Sequence, residues 1–138
     1  MKNFLPSTLI AVLALVIGYG AGQMDAKTSR VYELRTYTAA PGKLEALHAR
    51  FRNHTLKLFE KHGMKNVAYW APSDDPLKSN TLIYVVAHES RETAKKSWDA
   101  FRVDPEWIKA RDASEVNGKL TAKVESVYME ATDYSPMK

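Results

Sequence analysis

Residues 31–37 read VYELRTY, a β-rich alternating stretch with two opposite charges on one side. Successive side chains of a strand point to opposite faces. Val31, Glu33, Arg35 and Tyr37 therefore share one surface, and Tyr32, Leu34 and Thr36 the other. If this strand is central in its sheet, the surface carrying Glu33 and Arg35 is either a functional pocket or a buried interface with its own ion pairs.

The segments that follow supply a sheet for it. Pro41-Gly42 turns the chain. Across residues 43–62, Leu44, Leu47, Phe51, Leu58 and Phe59 then recur at helical spacing, all within about 60° of Leu44 at 100° per residue. Gly63 stands where a left-handed helix cap is expected. Residues 66–71 (NVAYWA) read as a strand ended by Pro72, and residues 72–80 as an exposed hairpin loop. Residues 81–88 (TLIYVVAH) are apolar on both parities, which marks a central strand covered on both faces. His88 is expected to cap the helix that follows. Ser90 can cap that helix too, with Ala94, Ser97, Trp98 and Phe101 along one side. Asp104-Pro105-Glu106-Trp107 opens another helix, with Asp as N-cap, Pro in the first position and an acid in the first turn. Asn117-Gly118 ends it near residue 115, and residues 120–132 form a last long strand.

The order β-α-β-β-α(α)-β with right-handed crossovers predicts an α+β, ferredoxin-like fold: a four-stranded antiparallel sheet with helices on one face. Apolar side chains on the other face predict a second copy closing a dimeric α+β barrel, with a buried small-molecule cavity as the alternative.

Residues 1–22 have the layout of a secretory signal: Lys2, an apolar run over residues 9–17, then Gly18, Gly20, Ala21 and Gly22. The expectation is export with cleavage near Gly22, periplasmic or extracellular, and membrane attachment only if the leader is kept as an anchor. Residues 23–30 read as a flexible linker, 31–134 as the folded domain and 135–138 as a tail. The absence of cysteine excludes disulfides, thiolate metal sites and a cysteine nucleophile. The formal charge of +4 is scattered rather than blocked, which argues against a nucleic-acid partner.

Several patterns that carry chemistry are missing from the folded segment. Gly42, Gly63 and Gly118 each sit alone at an element boundary, so no phosphate-cradling loop is expected and no cofactor follows from the sequence. Glu45 and His48 share a helix face, but carboxylate-bridged metal sites need two such motifs, so no metal site is expected. Glu33, Arg35, Trp70, Trp107 and Glu125 have no role in capping or turns and are candidate ligand-binding residues. Arg35 could pair with Glu33 or, across the neighbouring strand, with Glu125. As catalytic candidates, Arg35 could polarise a carbonyl while His54 or Tyr37 moves a proton.

The stretch 32–37 (YELRTY) with Pro41-Gly42, His62-Gly63, Tyr69-Trp70, Asn80, Ser90, the residues 104–107 (DPEW), Glu125 and Tyr134-Ser135 resembles the NIPSNAP family across nearly the whole predicted domain. The resemblance implies a dimeric α+β barrel and no agreed chemical activity. Taken with the leader, it points to an exported homodimer that binds a small molecule or a protein partner. Barrels similar to this one also include small monooxygenases, isomerases and dehydratases, which implies a cofactor-free enzyme as the alternative. The leader departs from the mitochondrial animal members, so their trafficking and quality-control roles are not carried over.

Overall fold

The computed structural model describes residues 30–138; the expected leader and most of the linker lie outside the described residues. Four strands, β1 (Val31–Ala39), β2 (Lys65–Trp70), β3 (Thr81–His88) and β4 (Thr121–Glu130), form one antiparallel sheet in the order β2-β3-β1-β4. The VYELRTY stretch is thus central, with β3 on one side and β4 on the other.

The helices pack on one face only. Here α3 (Arg91–Val103) starts where Ser90 Oγ accepts the Thr93 N–H at 3.0 Å. Then α4 (Pro105–Ser114) starts where Asp104 accepts the Glu106 N–H at 2.8 Å, with proline in its first turn. Ser90 and Asp104 satisfy amide donors that the helices themselves leave unpaired. Asp104 also receives His62 Nε2 at 2.6 Å and Lys61 Nζ at 2.8 Å, which ties the end of the first helical segment to the start of α4. These partners hold the Asp104 carboxyl well below the usual range.

The segment after Pro41-Gly42 departs from a regular helix. It is α-helical over α1 (Leu44–Arg50), widens to a π-helical turn over Phe51–Thr55, and resumes as α2 (Leu56–Lys61). Within the turn the Leu56 N–H reaches back to the Phe51 carbonyl, five residues away. Phe51 and Thr55 in the widened turn face inward and are buried, and Arg50, on the flank of α1 just before it, is buried where the end of α4 covers that flank through Ser114 and Glu115. Gly63 then closes α2 in the left-handed conformation (φ 78°) that glycine adopts without a Cβ clash.

Between helices and sheet lies an aromatic core. Tyr84 is fully buried at its centre, stacked on Tyr69 (centroids 5.1 Å) and within 5.2 Å of Phe51 and 5.8 Å of Phe59. Phe59 in turn meets Trp98 and Phe101 edge-on at 5.2 and 5.1 Å. Such pairs contribute about 0.5–1.5 kcal/mol each beyond the area they bury. On the other face Tyr32, Val85 and Ala87 are buried against Leu34, Val67 and Ala131, with no helix over them. Trp70, Val127 and Met129 are exposed.

Candidate functional site

Parity puts Glu33, Arg35 and Tyr37 on the helix-covered face, and register decides what they meet. β3 places Val86 beside Glu33 and His88 two residues further along the same face; β4 places Tyr128 and Ser126 there. Glu33 is 1 % exposed and accepts four hydrogen bonds. Arg35 Nη1 (2.5 Å) and Ser126 Oγ (2.7 Å) donate to one oxygen. Trp98 Nε1–H (2.6 Å) and His88 (2.9 Å) donate to the other. A carboxylate only accepts, so the His88 proton facing it is on Nε2. His88 Nδ1 has no partner among the described residues. Burial alone would raise the Glu33 carboxyl; the His88, Ser126, Trp98 and Arg35 donors outweigh it and hold the pKa at about 2.

Arg35 is fixed by the same arrangement. Its guanidinium lies 4.3 Å over the Trp98 ring, and Nη2 reaches the Tyr37 hydroxyl at 3.5 Å. Tyr84 also donates to that hydroxyl, at 3.0 Å. With two donors at its oxygen, Tyr37 keeps its own proton for another acceptor. His88 therefore binds Glu33 rather than capping α3, which Ser90 does alone. Trp98, expected as plain core, also supplies a hydrogen bond.

Tyr37 leads from this polar knot into a cavity of about 160 Å³ between β1, the π turn and α4. Phe51, Phe59, Phe101 and Trp107 line it together with Thr55 and Thr121. Arg50, Arg111 and Glu115 complete its wall. Arg50 Nη1 donates to Glu115 (3.0 Å) and Ser114 (3.3 Å), and its guanidinium lies 5.0 Å from the Trp107 ring centre. Its Nε is buried without a partner among the described residues. Single π turns inside helices recur at functional sites, and here Arg50, Phe51 and Thr55, at its two ends, all belong to the cavity.

The remaining candidates are elsewhere. Glu125 pairs in register with Thr36, so it points to the helix-free face; there it meets Lys123 at 2.9 Å and cannot reach Arg35. Trp70 is 51 % exposed on that same face, beside a shallow apolar depression formed with Tyr32, Val67, Val85, Met129 and Met137. His54 lines an outer groove between the π turn and α4, along with Ala110 and Ala113, and is not part of the aromatic cavity. The residues expected to cooperate in catalysis thus divide: Arg35 and Tyr37 meet, and His54 stands apart. Ser126, His88 and Arg50 were not anticipated as site residues. Among the described residues no three His, Asp or Glu side chains gather as a metal site.

A family model described as NIPSNAP matches residues 32–136. No curated protein matches the chain. Among solved structures, a NIPSNAP family protein of unknown function from Agrobacterium tumefaciens superposes with a TM-score of 0.69 at 20% identity, covering 81% of this chain and 96% of that one. An uncharacterised NIPSNAP-like domain protein from Burkholderia xenovorans gives 0.66 at 16% identity, covering 79% and 90%. A Streptomyces coelicolor monooxygenase in complex with nanaomycin D gives 0.54 at 16% identity, covering 76% and 89%. At these identities the likeness is one of fold.

Proposed function

The chain belongs to the NIPSNAP family, and from that premise and the cavity's geometry we propose that it is an exported homodimer that binds a small aromatic molecule. The observation that carries this reading is the cavity itself. A closed apolar space of ~150 Å³ accepts one benzene ring; this partly open cavity is about 160 Å³ and walled by four aromatic side chains besides Tyr37. It suits a single ring, with substituents directed to the open side or to the Tyr37 hydroxyl.

What weighs against catalysis is the state of the polar groups. Arg35 is held by Glu33, Tyr37 and the Trp98 ring, so it has little freedom to follow charge developing on a substrate. His54, the expected proton carrier, lines a different surface. The likeness to a monooxygenase is one of fold, and fold does not transfer chemistry.

The second copy belongs on the helix-free face. That face is apolar at Tyr32, Leu34, Val67, Val85, Val127 and Met129. Its charged pair Lys123–Glu125 lets two copies related by a two-fold axis set Lys against Glu. Export rests on the arrangement of Lys2, the apolar run over residues 9–17 and the small residues before Gln23.

Native mass spectrometry of the protein purified from its own source tests all three parts. The expected species is a dimer of chains lacking about the first 22 residues, carrying a small-molecule mass increment. A clean monomer refutes the dimer. A chain with its leader intact refutes export with cleavage. A protein that shows no adduct and takes up no single-ring aromatic added at millimolar concentration refutes the binding role.

A further inference from the structure

We propose that the aromatic cavity selects ligands bearing an acidic group, such as a benzene carboxylate, with the acid held at Arg50 and Arg111; this rests on the aromatic-binding reading above. Two guanidinium groups against one carboxylate form the charged part of the wall. Arg50 is the more telling of the two. Its side chain is 4 % exposed, yet only Nη1 makes side-chain hydrogen bonds among the described residues, to Ser114 and Glu115. Its Nε is buried and unpartnered, a state that leaves a strong donor unsatisfied in a low-dielectric setting.

Arg111 adds a second positive charge one helical turn before Glu115. Among the described residues its guanidinium pairs with the adjacent Asp112 carboxylate alone, at 2.9 Å, where both side chains are well exposed. A pair so exposed contributes little and yields readily to a better-placed anion. Glu115 neutralises one of the two arginines, so the wall keeps one positive charge for a ligand. A planar guanidinium matches a carboxylate in two-point geometry. Size and charge together describe the ligand: one ring against Phe51 and Trp107, and a carboxylate at the arginine edge.

The test is calorimetric titration of the full-length mature protein with benzoate and with benzamide, which share ring and size and differ in charge. Benzoate is expected to bind roughly tenfold or more tightly than benzamide, the scale of a charge-assisted over a neutral hydrogen bond. Arg111→Gln is expected to remove most of that preference by weakening benzoate far more than benzamide; its side chain is 41 % exposed, so the variant folds. Raising the salt concentration is expected to weaken benzoate alone. Equal or better binding of benzamide overturns the acid selectivity and leaves the aromatic cavity standing. Failure of both probes to bind overturns both readings. Retention of the full benzoate preference in Arg111→Gln overturns the assignment to this arginine edge.

Discussion

Trp98 donates its indole N–H to Glu33 at 2.6 Å, joining α3 to the central strand across 65 positions of sequence. The bond puts an acceptor-only group under the helix whose Arg91 also lies over the Tyr128 ring of β4. Glu33 thereby holds three structural units at once: α3 through Trp98, β3 through His88 and β4 through Ser126.

Glu33→Ala is expected to lose about 3–5 kcal/mol of stability, the cost of leaving a buried charge without its counter-ion. Arg35, Trp98 and His88 would all be stranded. Urea unfolding followed by tryptophan fluorescence measures it, and a loss below about 1 kcal/mol shows that water replaces the carboxylate easily.

Acid should act through the same residue. The Glu33 pKa is depressed from 4.5 in the unfolded chain to about 2. Its stabilising contribution is therefore complete above pH 4.5 and is lost as pH falls through the folded value. Unfolding curves between pH 5 and pH 2 are expected to show a falling free energy that is much flatter in Glu33→Gln. Parallel curves for the two proteins refute the assignment.

At the alkaline end the tyrosines take over. Burial, then the neighbouring Tyr37, pushes the Tyr84 hydroxyl well above its ordinary value, and burial raises Tyr69 as well. Raised groups stabilise fully below the unfolded pKa near 10, and the contribution is lost above it. Ultraviolet titration is expected to find these two tyrosines un-ionised until the fold opens; ionisation of every tyrosine near pH 10 with the fold intact contradicts it.

Val127→Asp tests the proposed interface. Val127 is 55 % exposed on the helix-free face, so the single chain tolerates the change. If that face is the interface, two unpaired carboxylates buried in it are expected to weaken the dimer roughly a hundredfold or more. Sedimentation velocity reads the result, and an unaltered dimer places the contact elsewhere.

His54→Ala is expected to leave the affinity for single-ring aromatics within about twofold of the parent, as for a surface change away from the site. A large loss would bring the outer groove into the binding site and reopen the catalytic reading.

Much of the architecture was legible because it rests on periodicity. The alternation at 31–37, the two-sided apolar run at 81–88 and the caps at Ser90 and Asp104 all appear as expected. Pairing of Arg35 with Glu33 was also within reach, since parity alone places them together. Glu125 shows where this ends. Parity sorts side chains within a strand, but a one-residue difference in register between strands exchanges the faces, and register is not written in either strand alone. The observed register sets Ser126, not Glu125, beside Arg35. Arg50 escaped for a related reason: helical spacing leaves it on the flank of α1, and what covers that flank, Ser114 and Glu115 at the end of α4, is set by packing between helices and not by the local sequence.

That turn also bears on comparison between chains. Its extra residue makes the length between Pro41-Gly42 and Gly63 a property of the cavity and not of the sheet. A related chain shorter by one residue in this interval could keep every strand and cap while changing the phase of α1, and of the Arg50 it carries, against α2. A single gap in an alignment, easily dismissed as loop drift, would then separate relatives that keep the charged edge from those that have lost it.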